Sequence, residues 1–117
     1  MATRPVIWHN PHCSKSRATL ELLLERSPNP EVVDYQKNPP DMMEISRALD
    51  VLKLQPRELM RQDESDYARL RLDNPSLTRE QLIAAIAAHP ILIQRPIVFA
   101  DGNAAIGRPP EAVLAIL

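Results

Sequence analysis

The chain has little of several things that usually organise a small protein. It holds one cysteine, so no disulfide can close within it, and two glycines, so turns that need a left-handed backbone are few. Aromatic residues make up 3% of it, too few for the stacking platforms that bind single-stranded nucleic acid. Neither sign of charge is in excess: 14 basic and 15 acidic residues leave a net charge of −1 and no electrostatic case for gripping a phosphate backbone. No apolar run nears the roughly 20 residues needed to span a bilayer, and no apolar segment of signal-peptide length follows Met1-Ala2-Thr3-Arg4. Together these absences set the expectation of a single cytoplasmic domain over residues 1–117, with no nucleic-acid or membrane partner.

Proline is what is abundant. The 12 prolines gather at joints: Pro28 and Pro30, Pro39-Pro40, Pro90, Pro96 and Pro109-Pro110. Between them the pattern predicts a strand over 5–9, a helix over 14–26 and a strand over 31–35, a spacing that fits a parallel crossover. Asp41 with Glu44 resembles a capping arrangement that opens a helix through Met42, Ile45, Leu49 and Leu52. A further helix is expected from Pro56 through Leu59, Met60 and Arg61, a charged stretch over 62–71 follows, and Thr78 with Gln81 caps a helix carrying Leu82, Ile83 and Ile86. The period then changes to strands over 97–100 and 104–106 about an Asp101-Gly102 turn, with Gly107 permitting close backbone approach. Arg108-Pro109-Pro110-Glu111 opens a short terminal helix bearing Val113 and Ile116. The order βαβ, helices, ββα predicts an α/β fold: a four-stranded mixed sheet with a helical insertion over about 41–88.

Cys13 stands in His9-Asn10-Pro11-His12-Cys13-Ser14-Lys15-Ser16-Arg17, where the first strand gives way to the first helix. A thiol at a helix start lies near unpaired N–H groups and the positive end of the helix dipole, a setting that lowers its pKa. An ordinary thiol near 8.5 is only about 3% ionised at pH 7, so a downward shift of roughly two units would change its reactivity decisively. His9, His12, Lys15 and Arg17 push the same way and attract anions, for which a helix N-terminus offers donors. A free cysteine is otherwise often a small buried hydrophobe, but the polar neighbours here favour a nucleophile. The three histidines and the cysteine show no metal-ligand spacing, and no glycine-rich nucleotide loop is present.

Five segments in order resemble the glutaredoxin-coupled arsenate reductase (ArsC) family, whose fold is thioredoxin-like. They are His9-Asn10-Pro11-His12-Cys13, Asn38-Pro39-Pro40, Glu58-Leu59-Met60-Arg61, the run from His89-Pro90 to Gln94-Arg95-Pro96-Ile97-Val98, and Gly107-Arg108-Pro109-Pro110-Glu111. The resemblance implies that Cys13 attacks arsenate, that Arg61, Arg95 and Arg108 hold the oxyanion, that Arg95-Pro96 is a cis bond, and that His9 helps lower the thiol pKa. Guanidinium forks suit a tetrahedral oxyanion better than a lysine point charge does. Two departures stand out: Ser14-Lys15 where better-studied members carry Gly-Thr, and no charged C-terminal extension after Leu117. Both resemble a shorter, arsenate reductase-like branch.

The chemistry so implied is a covalent cysteine–arsenate adduct, with the Ser14 or Ser16 hydroxyl and backbone N–H groups helping to hold the oxyanion. Ser16 occupies the place of a second cysteine in a Cys-x-x-Cys motif, so the reductant must come from outside. The expected partners are arsenate or a similar oxyanion, glutathione as co-substrate and glutaredoxin, with no bound cofactor and a monomeric chain. Two other readings stay open: a glutathione-dependent thiol reductase, and an RNA polymerase-binding regulator of the same fold, whose redox-sensing members usually carry two cysteines. A low-molecular-weight phosphatase loop needs an arginine six positions after the cysteine, and Thr19 stands there.

Overall fold

Two strands and the helix between them form the parallel crossover that their pattern predicts. In the computed structural model, which describes residues 4–27 and 29–117, β1 (Val6–His9) leads through α1 (Ser14–Arg26) to β2 (Glu31–Asp34). β1 and β2 pair in parallel from Val6↔Glu31 to His9↔Asp34. Residues 1–3 and the joint expected at Pro28 lie outside the described residues. On its other side β1 pairs antiparallel with β3 (Ile97–Ala100), and β3 pairs with β4 (Asn103–Ile106), giving the order β2-β1-β3-β4. Asp101 and Gly102 turn this hairpin with φ of 50° and 79°, both positive as a two-residue type I′ turn requires.

The chain divides into two units: Met1–Asn38 with Arg95–Leu117, and Pro39–Gln94. In the first, fully buried Ile7, Leu23, Val98 and Val113 form a core against which Leu20, Ala105 and Ile116 pack. The terminal helix expected from the sequence is a 3₁₀ segment over Pro110–Ile116. Three residues per turn put Val113 and Ile116 one above the other, and both reach this core.

The second unit is helical and wider than the expected insertion. α2 (Met42–Leu52) and α5 (Arg79–Ala88) pack together, each opened by a reciprocal capping box, Asp41 with Glu44 and Thr78 with Gln81. Between them lie α3 (Pro56–Leu59) and α4 (Ser65–Arg69), the latter inside the charged stretch. α3 is shorter than its pattern predicts. Met60 turns extended (φ −88°, ψ 141°) and bridges Ile93, while the Arg61 N–H donates to the Leu92 carbonyl at 2.7 Å. A 3₁₀ turn at Pro90–Leu92 keeps this partner segment within the unit. No helix among the described residues is long and apolar enough to cross a membrane.

Gly107 is buried beside the N-terminal half of α1, and its N–H donates to the Pro96 carbonyl at 2.8 Å. A Cβ there would lie 2.5 Å from Thr19 Oγ1 and 2.8 Å from Pro96 Cγ, and Thr19 is fully buried with its hydroxyl on the Lys15 carbonyl. Neither neighbour can swing aside. Gly107→Ala is therefore expected to destabilise the fold by about 1–3 kcal/mol, read as a lower urea midpoint at unchanged slope.

Candidate active site

The loop between β1 and α1 is held by its own polar groups. Asn10 is buried; its Oδ1 accepts the His12 N–H at 3.0 Å and its carbonyl accepts the Cys13 N–H at 3.0 Å. Arg17 Nη1 donates to the Pro11 carbonyl at 2.8 Å, fixing the loop crest to the first turn of the helix. Cys13 becomes the N-cap of α1, extended at φ −102° and ψ 124°. No acidic residue lies in the first turn.

Partial burial alone would push the Cys13 thiol up, since it disfavours the thiolate. The Ser16 N–H, the Arg95 guanidinium and the Lys15 N–H act against it, and the net shift is downward. A thiolate at this position is held by two helix-terminal N–H groups and one cation, the arrangement that activates a cysteine nucleophile.

The structure places Ser16 and His9 differently from the expectation. Ser16 is fully buried, and its hydroxyl accepts the Asn10 N–H at 3.0 Å while lying 2.6 Å from His9 Nδ1. The hydroxyl keeps its proton and a second lone pair for this contact, so its direction follows the tautomer of the His9 ring. Burial is the main cause of a lowered His9 pKa; Asp34 opposes it and the Arg17 charge reinforces it. The Ser16 hydroxyl is thus spent inside the loop, and what Ser16 offers the sulfur is its backbone N–H. His9 acts through that lock rather than as a charge beside the thiol. Ser14 is exposed at the first position of α1.

Of the three arginines, Arg95 meets Cys13 directly. Burial would lower its pKa, but hydrogen-bonding and charge contacts with the Cys13 thiol and the Tyr35 phenol raise it. Its Nε and Nη1 are buried with no hydrogen-bond acceptor. Arg108 is exposed, in the same unit, with Nη1 3.4 Å from the Arg95 carbonyl. Arg61 belongs to the helical unit, where its Nη1 pairs with Glu64 Oε2 at 2.9 Å. The Arg95-Pro96 bond is cis, as expected, and so is Arg108-Pro109, which the sequence reading did not anticipate. Asn10 and Tyr35 were also missed. An asparagine before proline in a tight loop carries a turn signal that could have found the first; Tyr35 looked only like a strand end.

The ArsC family model matches residues 8–116, a span that contains Cys13 and all three arginines. The chain belongs to the ArsC family. The arsenate reductase of Neisseria meningitidis serogroup A is 50% identical over 112 residues, 95% of this chain and 96% of its own. The arsenate reductase of Haemophilus influenzae is 43% identical over 115 residues, 96% of this chain and 97% of its own. A solved arsenate reductase from Vibrio cholerae superposes with a TM-score of 0.96 at 46% identity over 100% of both chains. The ArsC fold is thioredoxin-like, as the resemblance implied, and the mixed sheet seen here agrees with it.

Two outcomes follow for the loop. Ser16→Ala strips the buried Asn10 N–H and His9 Nδ1 of their shared partner, and a loss of about 1–3 kcal/mol in unfolding free energy is expected by urea titration. His9, with a folded pKa below the usual 6.5, binds protons more weakly when folded. Its contribution to stability is therefore complete above pH 6.5 and is lost as the pH falls through the folded pKa. Urea midpoints on acidification should fall further for the wild type than for His9→Gln, which cannot titrate.

Proposed function

We propose that this chain reduces arsenate to arsenite with Cys13 as nucleophile, glutathione as co-substrate and glutaredoxin as the protein that resets it. The observation that carries this reading is the sulfur at the head of α1 facing an arginine whose Nε and Nη1 are buried without an acceptor. Buried donors left so cost about 1–3 kcal/mol, which an oxyanion bound against the thiolate relieves. The relatives named arsenate reductase supply the substrate.

In the first step the Cys13 thiolate attacks arsenic and an arsenate hydroxyl takes up a proton and leaves as water, with arsenic still pentavalent. Arg95 and the N–H groups of Lys15 and Ser16 stabilise the charge that develops there, an oxyanion-hole effect. The further donors in this reading are Ser14, exposed in the first turn of α1, and Arg108, whose Nη1 reaches the Arg95 carbonyl. Arg61, the third arginine, stands in the helical unit paired with Glu64. In the second step a glutathione thiolate attacks the Cys13 sulfur. The sulfur–sulfur bond forms, the sulfur–arsenic bond breaks, and its electron pair stays on arsenic, which leaves as arsenite.

Cys13 is the only cysteine, so no internal thiol can resolve the mixed disulfide, and glutaredoxin clears it by exchange. The scheme needs no resident cofactor, only one chain, and a compartment such as the cytoplasm that keeps thiols reduced. Coupled assays of arsenite release with glutathione and glutaredoxin are expected to show Cys13→Ser inactive. Arg95→Ala should lose about 10²- to 10³-fold in kcat. Equal turnover by Cys13→Ser and the wild type contradicts the proposal.

A further inference from the structure

Among the described residues, Tyr35 is the largest fully buried side chain. It follows β2 directly, one residue beyond the His9↔Asp34 pair, so the parallel register brings it to the end of the sheet from which the Cys13 loop departs. Crevices at the carboxyl ends of parallel strands are where α/β folds place their ligands. Packing alone does not ask for a hydroxyl here, since phenylalanine would fill nearly the same volume without burying a polar atom. The hydroxyl meets the guanidinium of Arg95, and the same guanidinium meets Cys13.

We infer that Tyr35 is a positioning residue: its buried hydroxyl, set against the guanidinium of Arg95, keeps that group turned toward the Cys13 sulfur. An arginine is a long side chain with many rotamers, and a partly exposed one that is not tethered spends much of its time in water. The planar fork can bind phenol and sulfur together, and the phenol fixes the plane in which the remaining N–H groups present themselves. Tyr35 touches neither substrate nor reacting atoms in this scheme and acts only through Arg95. The inference rests on Cys13 reacting as a thiolate but not on arsenate being its substrate.

Because Cys13 is the only cysteine, alkylation by iodoacetamide reads its ionisation alone, with no arsenate turnover required. Tyr35→Phe is expected to move the midpoint of the rate–pH profile up by about half to one unit, a three- to tenfold loss of thiolate below the midpoint. In an Arg95→Lys background the same substitution should shift little further, because a lysine point charge cannot bridge the two groups. An unmoved or lowered midpoint in Tyr35→Phe overturns the inference, as does an undiminished shift in the Arg95→Lys background.

Should circular dichroism show Tyr35→Phe unfolded, Arg95→Lys with Tyr35 intact tests the pair from the other side. The phenolate absorbance of Tyr35 is then expected to appear at higher pH, with Tyr67 of the helical unit as reference, and two unmoved tyrosines overturn the inference. Shifted profiles in a protein that does not reduce arsenate would leave Tyr35 in its role while refuting the reductase reading.

Discussion

Everything chemical in this chain depends on where one sulfur sits relative to the first turn of α1. The Lys15 and Ser16 N–H groups have no intrahelical acceptor, as at any helix start, and here they meet the Cys13 sulfur instead of a capping hydroxyl or carboxylate. Arg95 adds a full charge from the segment preceding β3. These contributions outweigh the desolvation that would otherwise keep the thiol protonated.

The surrounding polar groups divide the work between holding the loop and holding the charge. Asn10, Ser16, His9 and Arg17 close a set of bonds that fixes the turn, and none of their side-chain bonds is made to the sulfur. Arg95 stands in the other group, with Tyr35 behind it. Gly107 and Pro96 permit this arrangement by letting the end of β4 come against α1, where a Cβ would collide with Thr19. Architecture that looks merely structural thus determines how close the arginine-bearing segments come to the helix start.

Much of the fold was legible because the local signals agreed with one another. The strand over 5–9, the helix over 14–26, both capping boxes and the Asp101-Gly102 turn appear where periodicity and turn chemistry put them. What could not be read was decided by tertiary context. Met60 and Arg61 leave their helix because Leu92 and Ile93 offer backbone partners, and the terminal segment tightens to 3₁₀ so that Val113 and Ile116 reach one core. At the site, Cys13 could be singled out from its neighbours alone. The inward turn of the Ser16 hydroxyl, and Tyr35 beside Arg95, depend on strand register and burial, which residue types do not encode.

The central claim is that Cys13 ionises more readily than an ordinary thiol, and that its thiolate shares its donors with a bound oxyanion. Titrating the thiolate absorbance of the single cysteine, with and without sulfate, tests this directly. The account expects half-ionisation well below the ordinary thiol value of about 8.5, and an upward shift when sulfate competes for Arg95 and the helix N–H groups. A value near 8.5 that sulfate leaves in place would contradict it.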